Sequence, residues 1–208
     1  MSRFSDSIGR KTLHGNHGNN DIRLLIAACV AAGIGACGEA REPAAAPALL
    51  PPPATPAKGC GDGGYLRTTL YGAFETEIDW ASHSLDCEGM PRPDGEGARL
   101  RFAGTAGDDD QAIAIIIALP ALQRGEATRE LASNVTLIEE GSGRFFSTSG
   151  LDTCWTDVDE QVALEDPPDR YTISGTLYCI TPLAEVNGDS GVSLRELKFA
   201  GLLDWGTK

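Results

Sequence analysis

The sequence predicts an all-β fold: an antiparallel β-sandwich of about eight to ten strands, with little helix outside an N-terminal leader. Two observations carry this. After residue 59, apolar and polar residues alternate with period two in run after run, the mark of strands with one buried face. Turn signals rich in Gly, Asp, Asn and Pro separate those runs at short, even intervals, as in all-β domains of jelly-roll or immunoglobulin-like size. Only residues 121–133 (ALQRGEATRELAS) leave room for a helical turn, and Gly125 limits it. The pattern leaves the connectivity between the sheets open.

The elements follow in order. Residues 60–64 (CGDGG) are a turn-rich entry. Leu66, Thr68, Leu70, Gly72, Phe74, Thr76, Ile78 and Trp80 then occupy the even positions, against Arg67, Thr69, Glu75, Glu77 and Asp79 on the odd ones. That is one long strand or two consecutive ones, bulged at Gly72. Residues 88–97 (EGMPRPDGEG) read as loop, and residues 98–104 (ARLRFAG) as a strand with Leu100 and Phe102 inward. Residues 107–110 are a charged turn. Residues 111–119 (QAIAIIIAL) are apolar on both faces and stopped by Pro120, hence a central strand. Residues 134–140 and 144–149 form a hairpin about Gly141-Ser142-Gly143. Another strand starts at Thr153, and a loop carries Pro167-Pro168. In residues 171–180, Tyr171, Ile173, Leu177 and Cys179 share a face. After the Asn187-Gly188 turn, Val192 and Leu194 have one parity and Leu197 and Phe199 the other. A bulge near Arg195-Glu196, or a break between strands, reconciles them. Residues 201–205 close against the core.

Three segments organise the chain: a signal peptide over residues 1–36, a tether over residues 37–58, and one domain over residues 59–208. A domain of that length buries about 70% of its unfolded surface, so its core needs no metal. It holds 11 Lys and Arg against 26 Asp and Glu, a net charge of −15. A surface of that sign repels nucleic acid and anionic headgroups, so no nucleic-acid partner is expected. Residues 38–58 (GEAREPAAAPALLPPPATPAK) have no periodicity and are rich in Pro and Ala. They read as a semi-rigid spacer of some tens of ångströms, at about 3 Å per residue.

Residues 24–36 are 13 uncharged, apolar or small residues, short of the about 20 that span a bilayer. With Arg3, Arg10, Lys11 and Arg23 before them, they fit the apolar core of a secretory signal. The end of this run, Ile34-Gly35-Ala36-Cys37, resembles the lipobox of bacterial lipoproteins. The resemblance covers about fifteen residues and implies nothing about the domain. It implies that Cys37 becomes the first mature residue, carrying a diacylglyceryl thioether and an N-acyl chain. The membrane is then one partner, through Cys37, and the cell envelope the location. Gly38 after the cysteine resembles lipoproteins sorted to an outer membrane, facing the periplasm or the cell surface. Ile26-Ala27-Ala28-Cys29 fits the same pattern, but its apolar run, residues 24–28, is shorter than the roughly 7 residues a signal needs. The blander alternatives are cleavage near Ala36 without lipid and an uncleaved anchor. Residues 1–23 are long and polar for a leader, which puts the expected translation start downstream of Met1.

Export leaves Cys60, Cys87, Cys154 and Cys179 to form two disulfides, with three connectivities open. Spacing favours the nearest pairs, Cys60 with Cys87 and Cys154 with Cys179. A four-thiolate zinc site is disfavoured because no CxxC occurs. His83 is the only histidine after the leader, so no multi-histidine metal site is expected, and a Ser-His-Asp triad would need His83. No catalytic residue is assigned. Among the carboxylates, Asp152, Asp157 and Asp159 are weak calcium candidates with hard oxygen ligands, and no other cofactor is expected. Glu139, Glu140 or these Asp residues are the acids a glycosidase pair would draw on, and one sequence does not choose among them. Trp80, Trp155 and Trp205 read as core, with Trp155 packed beside the Cys154 disulfide. The expected function is a lipid-anchored, non-enzymatic interaction or structural domain bound to an envelope protein or glycan. A calcium- or glycan-binding module and a carboxylate-dependent hydrolase are the alternatives.

Overall fold

The computed structural model describes residues 57–206 except Asp108, and these form strands and turns without a helix. The leader, Cys37 and the spacer as far as residue 56 lie outside the described residues. Fourteen strands follow in order: β1 (Ala57–Lys58), β2 (Tyr65–Gly72), β3 (Thr76–Ala81), β4 (Asp86–Pro91), β5 (Ala98–Ala106), β6 (Gln111–Leu119) and β7 (Thr128–Ala132). They continue as β8 (Asn134–Glu139), β9 (Arg144–Ser147), β10 (Cys154–Ala163), β11 (Arg170–Cys179), β12 (Leu183–Glu185), β13 (Gly191–Leu194) and β14 (Leu197–Asp204).

Every pairing is antiparallel, and one hydrogen-bonded sheet folds over on itself into two layers. The first layer runs β1-β4-β5-β6-β8-β9 and the second β3-β2-β14-β11-β10-β7. The short β12–β13 hairpin passes from one to the other, since β12 pairs with β9 and β13 with β2. Across the fold β14 lies against β4 and β1, and β3 against β5, without pairing. This is the all-β sandwich the alternation predicts.

The apolar faces meet between the layers. Ile113, Ile115, Ile117 and Leu119 of β6 have no exposed surface, nor do Val135, Leu137, Phe146, Leu177, Leu197 and Phe199. Each such side chain contributes about 1.5–3 kcal/mol by leaving water. β6 is central, with β5 on one edge and β8 on the other. The parity reversal in the last segment is a break: β13 pairs with Leu70–Gly72 and β14 with Tyr65–Arg67 along the same edge of β2. The Arg195 amide between them donates to the Thr69 carbonyl at 2.9 Å. Val192, Leu194, Leu197 and Phe199 are all buried as a result.

Four expectations are corrected. The strand number is fourteen, because two- and three-residue strands such as β1 and β12 are too short for periodicity to register. Residues 88–91 belong to strand β4, although Gly89 and Pro91 read as turn residues. Gly89 is there because β14 crosses so closely that a Cβ would fall 2.1 Å from the Leu202 carbonyl oxygen. Residues 128–132 form strand β7 rather than a helical turn, with Leu131 buried against β10. Trp155 does not pack on the disulfide. Successive strand residues point to opposite faces, so buried Cys154 sends Trp155 to the outer face, beside Tyr178 with ring centroids 6.0 Å apart.

Candidate functional site

A cleft of about 910 Å³ lies at one end of the sandwich. Three segments wall it: the β4–β5 connection, the chain after β6, and Trp205-Gly206 after β14. Local chemistry shapes each wall. Pro120, which has no amide hydrogen, ends β6, and the next turn closes with the Leu122 amide on the Leu119 carbonyl at 3.3 Å. Leu122 then fills the cleft floor at 1% exposure. In the β4–β5 connection, Gly97 has φ +70°, and a Cβ there would lie 2.0 Å from the Leu119 carbonyl oxygen. Only glycine fits both the conformation and the approach. The Gly95 amide donates to the Arg92 carbonyl at 2.9 Å, and the Asp94 carboxylate accepts from the Glu96 amide at 3.2 Å.

Trp205 is the fixed aromatic of this site. Its indole Nε1 donates to Gln161 Oε1 at 3.2 Å, and its backbone amide to the Asp169 carbonyl at 2.9 Å. Gln161 is held in turn, its Nε2 donating to the carbonyls of Gln123 at 2.8 Å and Glu126 at 2.7 Å. The Arg124 guanidinium lies 6.0 Å from the Trp205 ring centre. It donates to Asp169 Oδ1 at 2.7 Å and to the Gly206 carbonyl at 3.1 Å. Most polar atoms around Trp205 are therefore already partnered within the chain. What the cleft offers is part of the Trp205 indole with Pro91, Pro120 and Ala121 around it. Such a surface binds by apolar contact and stacking rather than by proton transfer.

A second cluster lies where the β2–β3 turn, the β8–β9 hairpin and the β12–β13 turn converge. Arg144 donates to Glu185 Oε1 at 2.7 Å, Glu139 Oε2 at 3.4 Å and Ser190 Oγ at 3.1 Å. Its guanidinium lies over the rings of Phe146 and Phe74 at 5.0 and 5.7 Å. Gln111 Nε2 donates to the other oxygen of Glu139. The Arg144 hydrogen bond, then that from Ser190, holds the Glu185 carboxyl down at about 2. Glu185 thus has no proton to give near neutrality, and the cluster acts as a latch.

The cysteines pair as spacing suggested. Cys60–Cys87 ties the entry loop to β4, and Cys154–Cys179 joins facing residues of β10 and β11. Cys37 lies outside the described residues. His83 is exposed in the turn after β3. Asp157 and Asp159 do share a neighbour, but it is Arg129, at 3.2 and 3.1 Å. Asp157 also accepts the Glu130 amide at 2.8 Å. Asp152 is exposed in the loop before β10. Among the described residues no three His, Cys, Asp or Glu side chains converge as metal ligands. Glu140 pairs with Arg101 at 2.5 Å. Trp80 is core at 4% exposure, its indole donating to the Thr105 carbonyl at 2.6 Å. Sequence reasoning missed the cleft, because Arg124, Gln161, Asp169 and Trp205 carry no common spacing. Their one advance signal was that Trp205 is a lone aromatic past the final alternating run. Compared with protein families, curated proteins and solved structures, the chain matches none of them.

Proposed function

We propose that this chain is an exported, lipid-anchored envelope protein whose β-sandwich is a non-enzymatic interaction module, with the Trp205 cleft as its contact site. The observation that carries the reading is the pair of disulfides, which belongs to an oxidising, non-cytoplasmic compartment. The lipobox-like Ile34-Gly35-Ala36-Cys37 supports the anchor, and the spacer supplies reach from the lipid surface. Two or more acyl chains on Cys37 hold a protein firmly, where one gives marginal binding. In a bacterial host the wild type partitions with membranes and has a mature mass above that of the polypeptide from Cys37. Cys37→Ser abolishes both. An unchanged mass and fractionation in the variant sink the anchor.

A second reading, glycan binding, is favoured by the Trp155–Tyr178 pair on the outer face of β10 and β11. Flat, partly exposed aromatic rings suit the apolar face of a pyranose. Retardation on polysaccharide affinity gels is the test, and Trp155→Ala should remove it. Calcium at Asp157 and Asp159 would have to displace Arg129.

A further inference from the structure

The two outer faces of the sandwich differ in charge. Across the second layer one register row reads Asp79, Arg67, Lys198, Thr176 and Asp157. That is an ordinary solvent face, with opposite charges interspersed. Across the first layer the matching row reads Ala114, Ile138 and Phe145 on β6, β8 and β9. Val186 continues it, its amide donating to the Phe145 carbonyl at 2.8 Å. Phe145 is 42% exposed and Val186 52%. The neighbouring row, from Ile116 on β6 to Ala184 on β12, is uncharged as well. The charged residues of β6, β8, β9 and β12 are Glu139, Arg144 and Glu185. All three have the opposite parity and are spent on one another in the latch. These strands therefore turn their charge inward and leave apolar side chains in water, the reverse of a solvated sheet face. Contiguous exposed apolar surface of this kind marks an interaction site.

Charge and area identify the occupant. A basic partner would be met by carboxylates and an anionic one by cations, and this face presents neither. A contact stripped of charge is what two bodies that each carry −15 need in order to touch. Strand β5 forms the rim, where Arg101 is already held by Asp86 and Glu140 and asks nothing of a partner. Five strands from β5 to β12 at about 4.8 Å spacing are about 24 Å wide, and residues 112–118 run about 20 Å along β6. Each copy then contributes roughly 500 Å², and two copies roughly 1,000 Å², the lower limit of a specific interface. An area of that size supports a dimer of micromolar strength rather than an obligate one. Sheets pack face to face in this way about 10 Å apart.

We propose that the outer face of β6, β8, β9 and β12 is where two copies of this chain associate, sheet against sheet. The inference rests neither on the Trp205 cleft nor on lipid at Cys37. The test is sedimentation equilibrium of the full chain carrying Cys29→Ser and Cys37→Ser, which removes intermolecular disulfides as a cause of association. A monomer–dimer equilibrium is expected. Phe145→Asp sets like charges against each other in the contact and should weaken it about thirtyfold. Ala184→Glu, at an exposed small residue that carries no core packing, should weaken it about tenfold and covers the case in which Phe145→Asp does not fold. Val162→Asp adds the same charge to an exposed apolar residue of β10 on the other layer, and should leave the equilibrium unchanged. Raising NaCl from about 0.05 M to about 0.5 M should tighten the wild-type dimer about fivefold, because salt screens the repulsion between the two acidic bodies. A wild type that stays monomeric up to about 200 µM overturns the proposal, as does a dimer that survives Ala184→Glu or one that salt weakens.

Discussion

Gly89 has no space for a side chain. A methyl group there would sit 2.1 Å from the Leu202 carbonyl oxygen and 2.8 Å from the Leu203 Cα. Both are backbone atoms that cannot rotate away, so the two layers would have to part. Gly89→Ala is expected to cost about 3 kcal/mol, at the upper end of the range for overpacking, read from the urea midpoint. Glu185 is a residue whose charge bears on acid stability. Its carboxyl is held at about 2 by Arg144 and Ser190, below the usual range. A depressed pKa contributes stability that is complete above the unfolded value, near 4.5, and is lost as pH falls towards 2. Urea melts should show wild type more stable than Glu185→Gln at pH 7, with the gap closing between pH 4.5 and pH 2. Neither residue could be singled out beforehand. Gly89 resembled a turn glycine, and Glu185 was one of 26 acids in the domain.

At the scale of elements, β6 was the most legible. Nine residues dominated by Ile and Ala, bounded by Asp and Pro, specified a central strand, and its inward Ile113, Ile115 and Ile117 are wholly buried. Ile115→Ala is expected to cost about 2–5 kcal/mol, because a packed interior collapses only partly round a lost side chain. The disulfide elements were legible too. Cys154 and Cys179 face each other as Cα partners on β10 and β11. Replacing both by Ala should lower stability by about 3 kcal/mol on the chain-entropy account of a loop of this length, measured by thermal melting. Strands β4 and β7 were hidden for opposite reasons. β4 carries Gly and Pro for the sake of its neighbours, while Thr128–Ala132 is too short to show a period against the helix-favouring Glu, Leu and Ala around it.

At the scale of the whole molecule, the sandwich is closed by its two ends. β2, near the start of the domain, pairs with β13 and β14, near its finish, through contacts such as Leu66 with Phe199. Such sequence separation must be closed before the core is rewarded, which slows folding. The oxidised protein should refold in milliseconds to seconds by stopped-flow fluorescence. A chain ending at Gly188 should show no cooperative melt, having lost both partners on that edge of β2. By itself the sequence determined the fold class, the inward faces of its alternating strands and the central place of β6, and it favoured the nearest pairs among the three open pairings of the cysteines. All of these follow from the period of the side chains along a strand, or from short separations that leave few choices. Tertiary structure alone decided which strands become neighbours, and with that the glycine at the layer crossing and the cleft around Trp205. Those features join residues 40 or more apart, such as Arg124 with Asp169 and Gln161 with Trp205. No local period records such a meeting, because it comes into being only when the sheet folds over on itself.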